Sequence, residues 1–468
     1  MSLETNLGLK AQKLTPQMAA EDLATARAAF NPSVTSSFQR NTTDQQATSV
    51  FQSASSTVTS NTTGASAGLS QVLPWNGSTY SFGWNTQRSV TNAFSTFNPQ
   101  LASQVTATFT QPLLRGFLVD NARQAVKTSQ RALEIADVGL RQQALTTEHN
   151  VRTAYLNLIG AIANRAVAQE NLDVSQASRK NTQSRVDVGT MAPNDIFAAD
   201  ADVAANEQRL IAAESAITTA QDALRVLVVD PARPDYWSVT IVPSDTVQLV
   251  PRQIDVEAAV KNALANRTDL ITERKQIEIT DLNTAVLRDS TKTSVNFQVQ
   301  YSANGVAGTQ IEYGSTFPPT VLGEVSRGYG GALADTFTNT NPSWTYGVQV
   351  AHPLGTTAQE AQLARSRLNR QQLEILLHND ELQVATAVRG AARQVDTLYK
   401  QVQALVTSRE AQEHNLDAEQ KKFAVGLSST FNLFSIQRDL AAAKLSELQA
   451  KIAYNQALID FEAVQRIR

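Results

Sequence analysis

The chain of 468 residues contains no cysteine, which excludes disulfides, thiolate metal sites and cysteine nucleophiles. Aromatic residues make up only 6% and charged residues 18%; Ala, Gln, Ser, Thr and Asn take their place. A chain so poor in large side chains suits helices packed through Ala, or strands with one polar face, better than a compact enzyme core. The net charge of −3 gives no electrostatic footprint for nucleic acid. No run of about 18 apolar residues occurs, so a transmembrane helix is excluded. Strands closed into a barrel remain the way to cross a bilayer. Met1 to Asn6 lack a basic segment followed by an apolar one, so the first residues by themselves read as those of a cytoplasmic chain.

Catalytic patterns are equally scarce. His149, His352, His378 and His414 lie far apart, without HExxH spacing, so no metal site is expected. His378 and Asp380 read as a solvated helix face. Gly328, Gly330 and Gly331 do not open a helix with a phosphate-binding pattern. The expectation is therefore no catalytic residue, no metal and no cofactor.

What the chain does contain is a repeat. Val188-Gly189-Thr190 recurs as Val425-Gly426-Leu427, Gln111-Pro112-Leu113 as His352-Pro353-Leu354, and Ser33-Val34 as Ser294-Val295. Three landmarks in one order imply two homologous halves. Each half has a leading helix (Leu9 to Phe30; Leu270 to Leu287), a pair of strands, and two long helices joined by a turn. Pro32 ends the first leading helix.

The second half shows its strands clearly. Val295, Phe297, Val299 and Tyr301 alternate with polar residues, as do Trp344, Tyr346, Val348 and Val350. In the first half Val105, Ala107 and Phe109 alternate likewise, and a weaker strand lies near Val34 to Arg40. Such alternation means one apolar and one polar face. Between paired strands, Thr42 to Tyr80 and Gly305 to Asn341 have loop compositions.

Long helical tracts then run from Leu113 to Gly189 and from Leu354 to Gly426, with no proline before the turn. At about 1.5 Å per residue, a continuous helix would be on the order of 110 Å long. Return helices follow from Asn194 to Leu227 and from Thr430 to Arg468. Between the halves, Pro231, Pro234, Pro243 and Pro251 forbid a long helix, and a short helix is expected from Asp255 to Ala265.

This order resembles the TolC-type outer-membrane efflux protein family over nearly the whole chain. The motifs that carry the likeness are Phe30-Asn31-Pro32-Ser33-Val34, Gln111-Pro112-Leu113-Leu114-Arg115-Gly116, Ala263-Leu264-Ala265-Asn266-Arg267-Thr268-Asp269-Leu270, and Val425-Gly426 before an Ala- and Leu-rich helix. The resemblance implies a mainly α fold with β: a trimeric transmembrane β-barrel, four strands per chain, continued by a long periplasmic α-helical barrel, with two internal repeats. It divides the chain into a periplasmic helix (1–29), a barrel strand pair with an extracellular loop (30–112), long helices and tip turn (113–229), an equatorial segment (230–268), a second periplasmic helix (269–290), a second strand pair with loop (291–354) and a second long-helix pair (355–468). Aromatics near strand ends (Tyr301, Trp344, Tyr346, Phe109, Phe117) suit interfacial girdles.

The implied function is a passive exit duct of a tripartite efflux pump or a type I secretion system in the Gram-negative outer membrane. Its partners would be two further copies of the chain, a periplasmic adaptor (membrane fusion protein), an inner-membrane pump and outer-membrane lipid. Adaptor docking is expected at the tips Val188, Gly189, Thr190, Val425, Gly426 and Leu427. A periplasmic gate is expected from Arg185, Asp195, Lys422, Phe423, Asn432 and Ser435. The acidic ring of the family's best-known member is absent, since Asn432 and Ser435 occupy the matching positions; Asp195, with Asp200 and Asp202 beyond it, offers charge instead, and Arg185, Lys421 and Lys422 are candidate partners for Asp195. The family also opens with a signal sequence and a short helix, neither of which this sequence carries before Leu7. The competing reading is a flagellin-like secreted filament or coiled-coil structural subunit, but such a chain has one central β region, whereas this one alternates helix and strand twice. A soluble coiled-coil hydrolase lacks any nucleophile arrangement.

Overall fold

The computed structural model describes residues 2–465 apart from 50, 247, 316–318, 353 and 356. Pro353, part of the second repeated landmark, therefore lies outside the described residues, as do Met1 and residues 466–468. The chain packs as two compact units, Met1–Met18 with Leu133–Gln276 and Leu373–Arg468, and Ala19–Ala132 with Ile277–Gln372.

The second unit is built on one antiparallel sheet. Its strands are β1 (Ser33–Gln46), β2 (Thr57–Val72), β3 (Thr79–Thr91), β4 (Phe97–Pro112), β5 (Ser294–Tyr313), β6 (Val321–Arg327) and β7 (Pro342–Ala351). They pair in the order β1-β2-β3-β4-β5-β6, with β7 also on β5. This corrects the expected four strands. The stretch Thr42 to Tyr80, read as loop, contains the end of β1 and all of β2, and Gly305 to Asn341 contains the end of β5, β6 and a helix, α8 (Tyr329–Phe337). The reason is that β2 consists largely of Thr, Ser, Asn, Gly and Ala, and its strand comes from ladder pairing on both sides rather than from many large apolar residues.

The register gives the sheet two unlike faces. One cross-strand row is Val34, Leu69, Phe82, Ala107, Tyr301 and Trp344; the row nearer the helical end is Gln71, Tyr80, Phe109, Val299 and Tyr346. The opposite face carries Ser33, Ser70, Ser81, Thr108, Gln300 and Thr345 in one row. Aromatic rings on the apolar face pack together, Tyr301 and Trp344 at 4.7 Å and Trp344 and Tyr346 stacked at 6.1 Å. Yet Phe38, Phe82, Trp344, Tyr346, Val348 and Val350 are all exposed.

The other unit is helical. It holds α1 (Ser2–Thr5), α2 (Leu7–Gln12), the start of α3 (Leu14–Ala28), most of α4 (Asn121–Asp187), α5 (Asp195–Val228), α6 (Val256–Asn266), the start of α7 (Thr268–Ser290), most of α9 (Ala358–Ala424) and α10 (Thr430–Gln465). Helices α4 and α9 have 67 residues each, about 100 Å at 1.5 Å per residue. Helix α4 begins at Asn121 rather than near Leu113 because Gly116 takes φ +85° and Asp120 caps the helix, its Oδ1 accepting from the Arg123 N–H at 2.7 Å. The leading helix is broken too: Asn6 caps α2 through the Leu9 N–H, and Lys13 separates α2 from α3.

On α9, Val384, Val388, Ala392, Val395 and Val402 are buried, with Leu398 and Tyr399 between the last two; on α10, Ala450, Tyr454, Ala457 and Phe461 are buried against them. Steps of three and four make a coiled-coil seam. A smaller core joins Ala154 and Leu158 of α4 to Leu224 of α5. The non-helical segment 229–255 lies along these helices, Val250 accepting from Tyr454 Oη at 2.8 Å and Val239 from Arg225 Nη2 at 2.9 Å. Arg152 and Arg252 both reach Glu462 and hold its carboxyl below the usual range against the opposing pull of burial.

Glu273 of α7 shifts the opposite way from Glu462. Burial, then the neighbouring Asp380 with Asp269 and Glu381, pushes it up to about 7. Its Oε2 is buried without a donor, while Arg274 is engaged by Glu381 and the Leu264 carbonyl. A carboxyl raised in the fold stabilises it while protonated. That contribution is complete below about 4.5 and lost as pH rises through about 7.

Two outcomes follow. Glu273→Gln flattens the pH dependence of thermal stability between about 4.5 and 7 and raises the melting temperature above that window; an unchanged pH profile contradicts the raised Glu273 carboxyl. Leu158→Ala, at a fully buried site, lowers the unfolding free energy by about 3 kcal/mol in denaturant titration.

Candidate docking tips and gate

The α4–α5 and α9–α10 turns use the same backbone device. At the first, Gly189 takes φ +74°, its N–H donates to Val186 O at 2.9 Å, and the Thr190 N–H donates to Arg185 O at 2.8 Å. At the second, Gly426 takes φ +80°, with Gly426 N–H to Phe423 O at 3.2 Å and Leu427 N–H to Lys422 O at 2.9 Å. This is a Schellman ending, which needs a left-handed residue just past the helix and so selects glycine. The repeated Val-Gly dipeptide is thus one structural instruction written twice. Helix α10 then restarts on Ser429, whose Oγ accepts from the Asn432 N–H at 3.3 Å. Helix α5 starts without a side-chain cap, and Asp195 in its first turn faces the positive end of the helix dipole.

The two tips lie side by side. The Arg185 guanidinium sits 4.3 Å from the Phe423 ring centre, and its Nη1 donates to the Phe423 carbonyl at 3.4 Å. A cation over an aromatic face is worth about 0.5–2 kcal/mol. Phe423 is buried with Leu433 and Phe434, so its ring fastens one tip to the other instead of facing open space. By contrast Val188, Phe197, Val425, Leu427 and Phe431 are 69–78% exposed. Five apolar side chains held out at two adjacent turns are unusual for a surface facing only water.

The structure distributes the sequence-picked polar residues differently from expectation. Arg185 engages Phe423 and Asn181, Lys422 pairs with Glu419 at 3.4 Å, and Lys421 with Asp417 at 2.6 Å, so none of the three pairs with Asp195. Asp200 bonds Arg179. Burial raises Asp202, with Arg438 and Arg209 opposing it. Asn432 is exposed and Ser435 half-buried. Glu419 is the acid that sequence reading missed. Ser428, folded back across the turn, donates to Glu419 Oε1, and this bond, with Lys422, holds the carboxyl below its usual range despite the opposing effect of burial. Only the turn geometry brings Ser428 to it. His378 lies 3.7 Å from Glu381 rather than on Asp380, and among the described residues no cluster of His, Asp and Glu could hold a metal ion.

The sequence model of the family described as "Outer membrane efflux protein" matches residues 1–228. No curated protein matches the sequence. Solved structures are similar in fold. The Campylobacter jejuni CmeC outer membrane channel is 12% identical, with a TM-score of 0.67 over 99% of this chain and 84% of that one. The Vibrio cholerae outer membrane protein VceC is 16% identical, with a TM-score of 0.67 over 99% and 94%. The Neisseria gonorrhoeae MtrE outer membrane channel in its open state is 15% identical, with a TM-score of 0.65 over 99% and 87%.

The tip geometry is testable directly. A Cβ at Gly426 meets nothing within 4 Å, so Gly426→Ala costs only the left-handed backbone, roughly 1–2 kcal/mol, and Gly426→Asn recovers part of it. Amide exchange at Leu427 is the readout; equal protection in all three proteins refutes the Schellman assignment.

Proposed function

Residues 1–228 place this chain in the outer membrane efflux protein family, and from that premise we propose that it is the outer-membrane exit duct of a tripartite efflux pump. The observation that carries the reading is the sidedness of the sheet. An apolar face rich in exposed aromatics suits lipid, and a face of Ser, Thr and Gln suits a water-filled lumen. No helix among the described residues is long and apolar enough to cross a membrane; in this reading the strands are the crossing elements.

Closure among three copies is the reading that suits the long outer strands β1 and β7, which, like the short β6, are paired on one side only. Unsatisfied edge N–H and C=O groups are untenable in hydrocarbon. In this reading the long helices continue the barrel as a periplasmic tunnel. Two tips fastened by Arg185 and Phe423, with Val188, Val425 and Leu427 projecting, form the surface for an adaptor that links the duct to an inner-membrane pump. Asp195, Glu419 and Lys422 supply charge near the gate. The duct itself needs no catalyst; energy comes from the pump. The two exposed strand edges and the doubled helix–strand order favour this over a filament subunit.

Cell fractionation is expected to find the chain in the outer membrane, and crosslinking in mild detergent to trap a trimer; a soluble monomer would sink the reading. Val188→Asp with Leu427→Asp is expected to leave trimer yield unchanged while lowering the host's resistance to exported compounds. Full resistance with normal assembly would remove the tips as the docking surface.

A further inference from the structure

Hairpin β2–β3 has no counterpart in the second half, where β5 and β7 pair directly. Its pairing is not that of a flap. The β1–β2 ladder runs unbroken from Ser33↔Ser70 to Gln46↔Thr57, and the β3–β4 ladder from Thr79↔Thr110 to Ser89↔Gln100. Both strands exceed the roughly 9–11 residues that a tilted strand needs to span a bilayer. The sidedness passes through them without a break. Ala67, Leu69, Phe82 and Trp84 fall on the face of Val34, Ala107 and Tyr301, while Ser66, Ser70, Ser81 and Asn85 fall on the face of Thr108 and Gln300.

Each end of the hairpin is fixed to the neighbouring wall. At the helical end its turn is closed by Leu73 N–H to Ser78 O at 2.7 Å. Arg123, in the first turn of α4, donates to Trp75 O at 2.6 Å and to the Gly116 and Phe117 carbonyls. At the other end α8 lies over β3, β4 and β5 together. Tyr329 Oη bonds Thr86 Oγ1, Thr336 Oγ1 donates to Ser103 O at 3.2 Å, and a Cβ at Gly305 would overlap the Ala332 carbonyl. Strand β6 does not share these properties. It has seven residues and pairs only with Gly308 to Tyr313 of β5, beyond the stretch that β7 covers.

We propose that β2 and β3 are part of the lipid-facing barrel wall, so that each chain supplies six strands, β1 to β5 and β7. The inference rests on the duct reading and sharpens it. Three such chains build a barrel in the porin class of about 16–18 strands, which leaves an open aqueous channel. The membrane section is then wide, and solute size is limited elsewhere along the duct.

The absence of cysteine makes single-cysteine labelling unambiguous. In isolated outer membranes, Ala67→Cys, Leu69→Cys and Phe82→Cys are expected to react with a membrane-partitioning pyrene maleimide and to lose reaction with a charged methanethiosulfonate. Ser66→Cys and Ser81→Cys are expected to do the reverse. Ala107→Cys and Thr108→Cys on β4 are the internal standard. If β4 alternates but both faces of β2 and β3 react with the charged reagent, the hairpin lies outside the wall and the six-strand proposal is overturned while the duct survives. If β4 also fails to alternate, the duct reading falls and this proposal with it.

Discussion

Backbone hydrogen bonding along the open sides of the sheet is the constraint from which the β unit's chemistry follows. Strands β1 and β7 each have a partner on one flank only, and both are exposed along their lengths. In water such edges invite pairing with any other chain; in hydrocarbon each unpaired group costs several kcal/mol. In the proposed duct, the flanks of neighbouring copies satisfy each other while the apolar face meets lipid. Sidedness and open edges are separate facts that point to the same environment.

The helical unit solves a different problem. Helices of 67 residues cannot be held by propensity, since most helical stability comes from packing an amphipathic face. Here the seam is narrow and made largely of Val and Ala, with Tyr454 and Phe461 as the bulky members. Small residues bring backbones close, and the buried phenol is satisfied by the Val250 carbonyl. The stretch around Val250 is thus a partner of the seam rather than a loop hung upon it. At the tips, where the helices end, Val188, Phe197, Val425, Leu427 and Phe431 are exposed. Glycine in the left-handed region makes both ends abrupt, so that these side chains are presented on tight turns.

Much of this was legible in the residues. The alternation of Val295 to Tyr301 and Trp344 to Val350 reappears as β5 and β7, and the paired Val-Gly dipeptides reappear as two Schellman endings. Strand β3 was equally readable, since Tyr80, Phe82 and Trp84 alternate with Ser81, Gly83 and Asn85, but the loop-like composition before it obscured the pattern. Strand β2 was not readable. Its apolar face is Ala65, Ala67 and Leu69, too small a contrast to register until the ladder with β1 and β3 assigns each residue a side.

The residues alone determined which segments are strand or helix wherever apolar spacing was strong, because periods of two and of three-to-four are properties of a single segment. They also determined where the long helices stop, because a left-handed residue is a local demand. Tertiary structure alone decided how many strands share the sheet, that Phe423 is buried beneath Arg185, and that Ser428 folds back onto Glu419. Each of these depends on which distant segment arrives alongside, and that proximity is written in no one stretch of chain.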